Sequence, residues 1–264
     1  PGPKQINLQV ISGLGCMNSL SLQNSYRSIV VLDRRVLLTS TDVYEEKFET
    51  SNGNWQVWGT GATVAAISSA TSTASWVHGP TPPNPADPNN GLIGGTSIWK
   101  TNISGNYNPN EKSALYSPSF DLSPLLRPMI SFNSIVQTEI SDGVVLEYST
   151  DGLNIADPNK VWLALGSIGD GEAWFTNQGI AGRPGTQTAN DYGWSGFDNE
   201  KWQAPKRTLD IVGGSTRAVF RFALGSAASA VTKKGFSLDN IRIGDRTRTI
   251  LLESFASASN TNAS

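Results

Sequence analysis

The sequence predicts an all-β fold, a jelly-roll β-sandwich with long loops and a short N-terminal β segment. Composition is the first ground for this. Charged residues make up only 16% of the 264, while 26 glycines, 14 prolines and eight tryptophans stand among Ser-, Thr- and Asn-rich stretches. That texture suits a loop-rich extracellular module better than a helical enzyme. The second ground is period: from residue 113 onward, short runs with strand-like patterning follow one another with turns between them. The third is that no segment carries a convincing helical repeat.

Taken in chain order, "KQINLQVIS" (4–12) and "SYRSIVVLDRRVLLTS" (25–40) are strand-like runs around a Gly/Ser/Asn turn region and contain no Trp. Residues 1–42 read as the end of a preceding β domain or as appended strands. At residue 44 the texture changes, and residues 43–246 read as one sandwich. "EEKFET" (45–50) is a short strand and "SNGNW" a turn. Isolated strands are expected in "NWQVWG", "TASWVHG" and "TSIWKTN", and "GPTPPNPADPNNG" (79–91), with five prolines, is a surface loop. The regular part follows: "SALYSPSFDLS", "RPMISFNSIVQTEI", "DGVVLEYSTDG" with an Asp-Gly turn at each end, "KVWLALGS", "PKRTLDIVG", "TRAVFRFALGS" and "GFSLDNIRIG". Residues 247–264 begin as a strand and pass into a polar, small-residue tail, read as a linker or the start of a following domain. The opening "PGPKQINLQV" has the look of a piece cut from something longer.

In the last of these strands, alternation puts Phe236, Leu238, Asn240 and Arg242 on one face and Ser237, Asp239, Ile241 and Ile243 on the other. Asp239 is thereby expected among isoleucines, where a carboxylate is costly unless paired.

Several kinds of chemistry are disfavoured. The formal net charge is −2, from 20 basic and 22 acidic residues, so nothing points to nucleic acid. No stretch of ~20 apolar residues suggests membrane insertion. Cys16 is the lone cysteine and His78 the lone histidine. This excludes an intrachain disulfide, a His/Cys zinc cage and an HExxH site. His78, before the proline-rich loop, lacks the companions of a nucleophilic site and reads as polar surface. Glu139, Asp142 and Glu147 form the best carboxylate set for glycoside hydrolysis, but Asp142-Gly143 reads as a turn and Glu147 as a solvated strand position. "DGLNIAD" (151–157) is a poor EF-hand loop, and "GIAGRPG" and "IVGG" open no helix that could cradle phosphate. The repeated "ADPN" (86–89 and 156–159) is shared turn chemistry rather than an internal repeat.

The order of "FE", "SW", "IWKTNISGNY", "LYSPSFDLS", "LEYSTDG", "GW", "VFRFALGS" and "GFSLDNIRIG" over two hundred residues resembles the MAM-like jelly-roll modules of bacterial surface proteins. These include the cleaved-adhesin domains attached to gingipain-type proteases and other modules of Bacteroidota surface proteins. The loop insertions here are longer than that pattern leads one to expect, so no ligand carries over. The resemblance implies that the first and last strands lie side by side, with Glu49 of the "FE" pair and Asp239 of "DNI" meeting around a structural calcium ion. Calcium takes six to eight oxygens, and a cation would relieve the repulsion between two carboxylates. The alternative is that Asp239 bonds only neighbouring N–H groups while Glu49 is solvated.

Trp99 and Trp162 lie in strand-like runs and are expected in the core. Trp174 and Trp194, with Tyr192 and Phe197 beside the second, lie in Gly/Asn/Asp-rich stretches. They read either as plugs or as a ligand platform of outward rings. The functional expectation is a non-catalytic adhesion or recognition module of a secreted or cell-surface bacterial protein. It would bind a glycan or a surface protein beside neighbouring domains of its parent chain. The rival is a passive spacer or accessory domain. A stand-alone glycosidase is a distant third.

Overall fold

The structure, a computed structural model, describes residues 35–59, 74–80, 95–151, 160–196, 201–228 and 231–246. They form two sheets, with strands numbered in chain order. The first runs β1 (Arg35–Leu37), β6 (Lys112–Asp121), β13 (Ala218–Gly225), β8 (Gly143–Ser149), β11 (Tyr192–Ser195), β10 (Asn177–Gln178). In it β3 (Gln56–Gly59) also joins β6, and β9 (Leu163–Ala164) also joins β8. The second runs β12 (Lys206–Thr208), β7 (Pro128–Gln137), β14 (Gly235–Asp245), β5 (Ser97–Thr101), β4 (Trp76–Pro80), with β2 (Val43–Glu46) also on β14. The sheets pack face to face as an all-β jelly-roll sandwich.

The core between them is aromatic. Phe132 of β7 meets Phe222 of β13 edge-on with ring centroids 5.0 Å apart, and Phe222 lies 5.8 Å from Phe236 of β14. Such contacts add to the area term of burial, because the positive edge of one ring meets the negative face of the next. Trp55, Trp99 and Tyr107 are buried in the same cluster.

Strands β6, β8 and β13 are buried on both faces. One face packs on the second sheet, and the chain from 160 to 187 crosses the other. Thr186 donates its N–H and its hydroxyl to Glu147 of β8 (2.7 and 2.6 Å). Gly182 lies so close to Gly225 of β13 that a Cβ on either would overlap the other's carbonyl oxygen. The strand expected in "KVWLALGS" shrinks to the two residues of β9, and "PKRTLDIVG" becomes β12 followed by a 3₁₀ turn, Asp210–Val212. Of the N-terminal runs, β1 is described: it lies parallel to β6, with Arg35 bridged to Asp121 at 2.5 Å. "KQINLQVIS" and residues 247–264 lie outside the described residues.

The alternation expected along β14 is corrected by a bulge. The register with β7 shifts between Asp239 and Arg242, and Asn240 takes a left-handed conformation (φ 50°). Asparagine tolerates that region better than most residues. One extra residue slips the period, so Ile241 and Ile243 join Phe236 and Leu238 in the core. Asp239 therefore lies on the opposite face from the isoleucines, with Ser237.

Candidate metal centre

The bulge marks a change of partner. On one side of it β14 pairs with β5, Leu238 opposite Trp99. On the other it pairs with β2, Ile241 opposite Glu46. Two strands thus share one edge of β14, and Asp239 sits between their ends. The chain leaving β2 turns sharply at Phe48, which is left-handed (φ 57°) with its ring buried. A bulky residue holds that conformation only when its surroundings impose it. Here its N–H is bonded by Glu46 Oε1 (2.7 Å), its carbonyl contacts His78 Nε2 (2.7 Å), and its ring packs edge-on against Trp55. Glu49 is consequently on the bend after β2, not on a strand as expected from "EEKFET".

That bend delivers Glu49 under the residues entering β5. Glu49 Oε2 accepts the Thr96 N–H (2.8 Å) and hydroxyl (3.2 Å). A Cβ at residue 95 would fall on the Glu49 carboxylate, so a larger residue there would displace that side chain. Asp239 is 1% exposed, and its Oδ1 accepts the Asn240 N–H at 2.7 Å. The other oxygens, Glu49 Oε1 and Asp239 Oδ2, are buried and find no hydrogen-bond partner among the described residues. Burial pushes the Asp239 carboxyl up to about 7. The Asn240 N–H pulls against that, and the charge of Glu49 adds to the rise. The two residues paired from sequence thus come within electrostatic reach, each with one oxygen anchored and one orphaned.

Orphaned buried carboxylate oxygens cost free energy unless a proton or a cation meets them, and this donor set fits a hard cation. The described residues contain no group of three His, Cys, Asp or Glu side chains able to hold a metal. A calcium ion held by Glu49 and Asp239 would draw the rest of its shell from carbonyl oxygens and water.

The expected ligand platform is corrected. Trp174 and Trp194 are 3% and 2% exposed. Their rings pack 5.2 Å apart, with Phe175 4.7 Å and Phe132 5.7 Å from Trp194. Their indole N–H groups donate to Leu165 O and Ala173 O. Both are core: β11 pairs in register with β8, Trp194 opposite Val144, and Trp174 packs on Trp194 and Phe132. Tyr192 is half-buried and packs against the same core. Phe197 lies outside the described residues. Trp99 and Trp162 are buried, as expected.

The carboxylates weighed for hydrolysis are sealed. Asp142 accepts the Tyr107 hydroxyl (2.7 Å), the Ser141 hydroxyl and the Ala227 N–H. Glu147 is not solvated as expected: it is 0% exposed, held by Thr186 and by Arg221, whose guanidinium approaches to 2.6 Å. Arg221 also stacks on Trp162 at 4.1 Å. His78 belongs to β4, half-buried, with its ring 5.6 Å from Trp99.

Sequence reasoning missed Gly95 and Thr96, which crown Glu49, and the Glu147–Arg221 pair. The pair had a signal: "VVLEYS" and "VFRFAL" each carry one charge within an apolar strand.

No family model matches the chain, and no curated protein matches it. Among solved structures it is similar to the K1 cleaved adhesin domain of Lys-gingipain from Porphyromonas gingivalis W83. The identity is 12% and the TM-score 0.41, over 78% of this chain and 99% of that one. It is also similar to the K3 cleaved adhesin domain of the same protein, at 13% identity and TM-score 0.41, over 76% of this chain and 98% of that one. A third likeness is to the C-terminal CBM6 of LamC, a marine laminarinase from Zobellia galactanivorans, at 11% identity and TM-score 0.33, over 77% and 100%. Likeness at this level does not extend to ligand or activity.

Proposed function

We propose that this chain is a non-catalytic recognition module of a secreted or cell-surface bacterial protein, with a structural calcium ion held by Glu49 and Asp239. The reading rests on the two orphaned carboxylate oxygens at the junction of β2, β5 and β14. Calcium there would neutralise both charges and tie the bend after β2 to the bulge of β14. It would act as a staple between chain segments far apart in sequence, not as a catalytic group.

The absence of catalysis is supported by what happens to the groups that could perform it. Asp142 and Glu147 have their oxygens engaged inside the protein, and His78 is bonded to a main-chain carbonyl. The partner proposed is a glycan or a surface protein. The near-balanced charge gives nucleic acid no purchase. Among the described residues, no helix is long and apolar enough to cross a membrane.

Binding of wild-type protein to arrayed glycans, with and without chelator, tests the recognition reading, and calorimetric titration with calcium tests the metal. Saturable calcium binding that Glu49→Gln and Asp239→Asn abolish is the expected result. No calcium uptake by the wild type would remove the metal.

A further inference from the structure

We infer that the end of the sandwich where β14 finishes is a docking surface for the chain's own continuation, residues 250–255, which pack on Leu126 and Ile211. Three chain crossings close that end. Residues 38–42 pass from β1 to β2, residues 122–127 from β6 to β7, and residues 209–217 from β12 to β13. The strand orders β1-β6-β13 in one sheet and β2-β14-β7-β12 in the other lay these crossings side by side. The Leu122 N–H donates to Ser215 O (2.8 Å) and the Leu209 N–H to Pro128 O (2.6 Å), which fastens the second crossing to the third. Asp245 accepts the N–H groups of Leu126 and Arg127 (3.2 and 3.1 Å), which fastens the second crossing to the end of β14.

The crossings send apolar side chains both ways. Leu122, Leu125, Leu209 and Val212 are buried in the core beneath. Leu126 and Ile211 are left outside, 85% and 59% exposed, and Leu37 at the end of β1 is 68% exposed. Leu126 and Leu37 are the most exposed of the large apolar residues among those described. One exposed leucine is ordinary. Here Leu125 already fills the core position beside Leu126, and the bonds to Asp245 hold the Leu126 backbone in place, so this side chain stays on the outer surface.

The occupant follows from where the chain goes next. The Arg246 N–H donates to Arg127 O at 2.7 Å, so the chain leaves β14 against the residue that follows Leu126. Four positions on, the sequence reads Ile250, Leu251, Leu252, Glu253, Ser254 and Phe255, and then passes into small and polar residues. The crossing that carries Ile211 starts two strand spacings from β14, about 10 Å away. Residues 250–255 stand four to nine positions past Arg246 and reach that far whether extended, at ~3.3 Å per residue, or helical, at ~1.5 Å. Charge fits as well. Arg127 and Arg217 are exposed on the second and third crossings without an acidic partner among the described residues, and Glu253 is the acid that the segment brings. A second copy of the chain offers the same side chains, but the tethered segment acts at an effective concentration in the millimolar range and wins. This extends the unit expected from the sequence, residues 43–246, by one segment.

Thermal melts of the full chain test this with four proteins. They are the wild type, Leu126→Ala, a tail variant carrying Ile250→Ser, Leu251→Ser, Leu252→Ser and Phe255→Ser, and the combination of the two. Cutting back a leucine that stays exposed shifts Tm by no more than about 2 °C, whereas the inference predicts a fall of at least about 4 °C for Leu126→Ala and for the tail variant. In the tail variant Leu126→Ala then costs nothing further, because its partner is gone. A tail variant or a Leu126→Ala protein that melts with the wild type overturns the inference, and so does a Leu126→Ala cost that is the same in both backgrounds. Sedimentation of the wild type separates the tethered segment from a second copy: a monomer showing the coupled melts supports the inference, and a dimer that Leu126→Ala dissociates overturns it.

Discussion

Asp239 shows how one residue's neighbours set the sign of a substitution. Without metal, its carboxylate is buried with one orphaned oxygen and the charge of Glu49 nearby. Removing its charge then relieves a cost. With calcium, the same change removes a ligand. Asp239→Asn is expected to melt at or above the wild type in chelator and below it in calcium, and two thermal scans per protein check this. Arg221 behaves otherwise, because its partner has no escape. Arg221→Ala leaves Glu147 charged and buried, at an expected cost of about 3–5 kcal/mol. The double change Arg221→Met with Glu147→Leu should recover most of that in denaturant melts. Glu49 and Asp239 were expected together from the sequence, and the charge of Glu49 does act on Asp239. Their surroundings were not legible there: the left-handed turn at Phe48 and the close approach at Gly95 depend on chain segments that meet only in the folded protein.

At the scale of elements, the strands of the second half could be read from period and turns, because each has a face committed to the core. The bulge in β14 could not be placed by period. Its only local sign is Asn240, a residue tolerant of positive φ, and missing it assigned Ile241 and Ile243 to the wrong face. β11 escaped notice for a related reason: Gly193 and Gly196 around Trp194 look like loop, yet a Cβ at 193 would press on the Val144 carbonyl across the ladder at 2.7 Å. Glycine here permits close strand packing. Trp194→Ala is accordingly expected to destabilise by about 3–5 kcal/mol, as for a large aromatic deleted from a core, read as a drop in denaturation midpoint. The chain entering β9 is tied by Asp151. Burial works against its charge, but Lys160, the Ser149 hydroxyl and the Val161 N–H outweigh it and hold the carboxyl down at about 2, below its ordinary 3.8. A depressed carboxyl stabilises the folded state above its unfolded value and loses that as pH falls through the folded one. Because Asp151 is partly exposed, the contribution is about 1 kcal/mol after screening. Wild type should therefore exceed Asp151→Asn in stability above pH ~4, and the difference should shrink as pH falls through ~2 and vanish below it.

For the whole molecule, the proposed unit is residues 43–246. In the described structure β1 adds a short parallel strand beside Ser119–Asp121 of β6, with an exposed ion pair, Val36 packed on the core and Leu38, just after the strand, buried in it. A chain beginning at Thr41 is expected to unfold in a single cooperative transition, and a broad or biphasic melt would show the N-terminal strands to be integral. The architecture as a whole joins distant segments at the junction of β2, β5 and β14, and the proposed calcium would neutralise the two carboxylates that meet there. Differential scanning calorimetry of the intact protein in excess calcium and in chelator tests this most directly. A ligand specific to the folded state, at a hundred times its dissociation constant, stabilises by about 2.7 kcal/mol. For a domain of this size that is about 5–10 °C in Tm. The account predicts such a rise in calcium for the wild type and none for the Glu49→Gln, Asp239→Asn double variant; identical melting of the wild type in calcium and in chelator would contradict it.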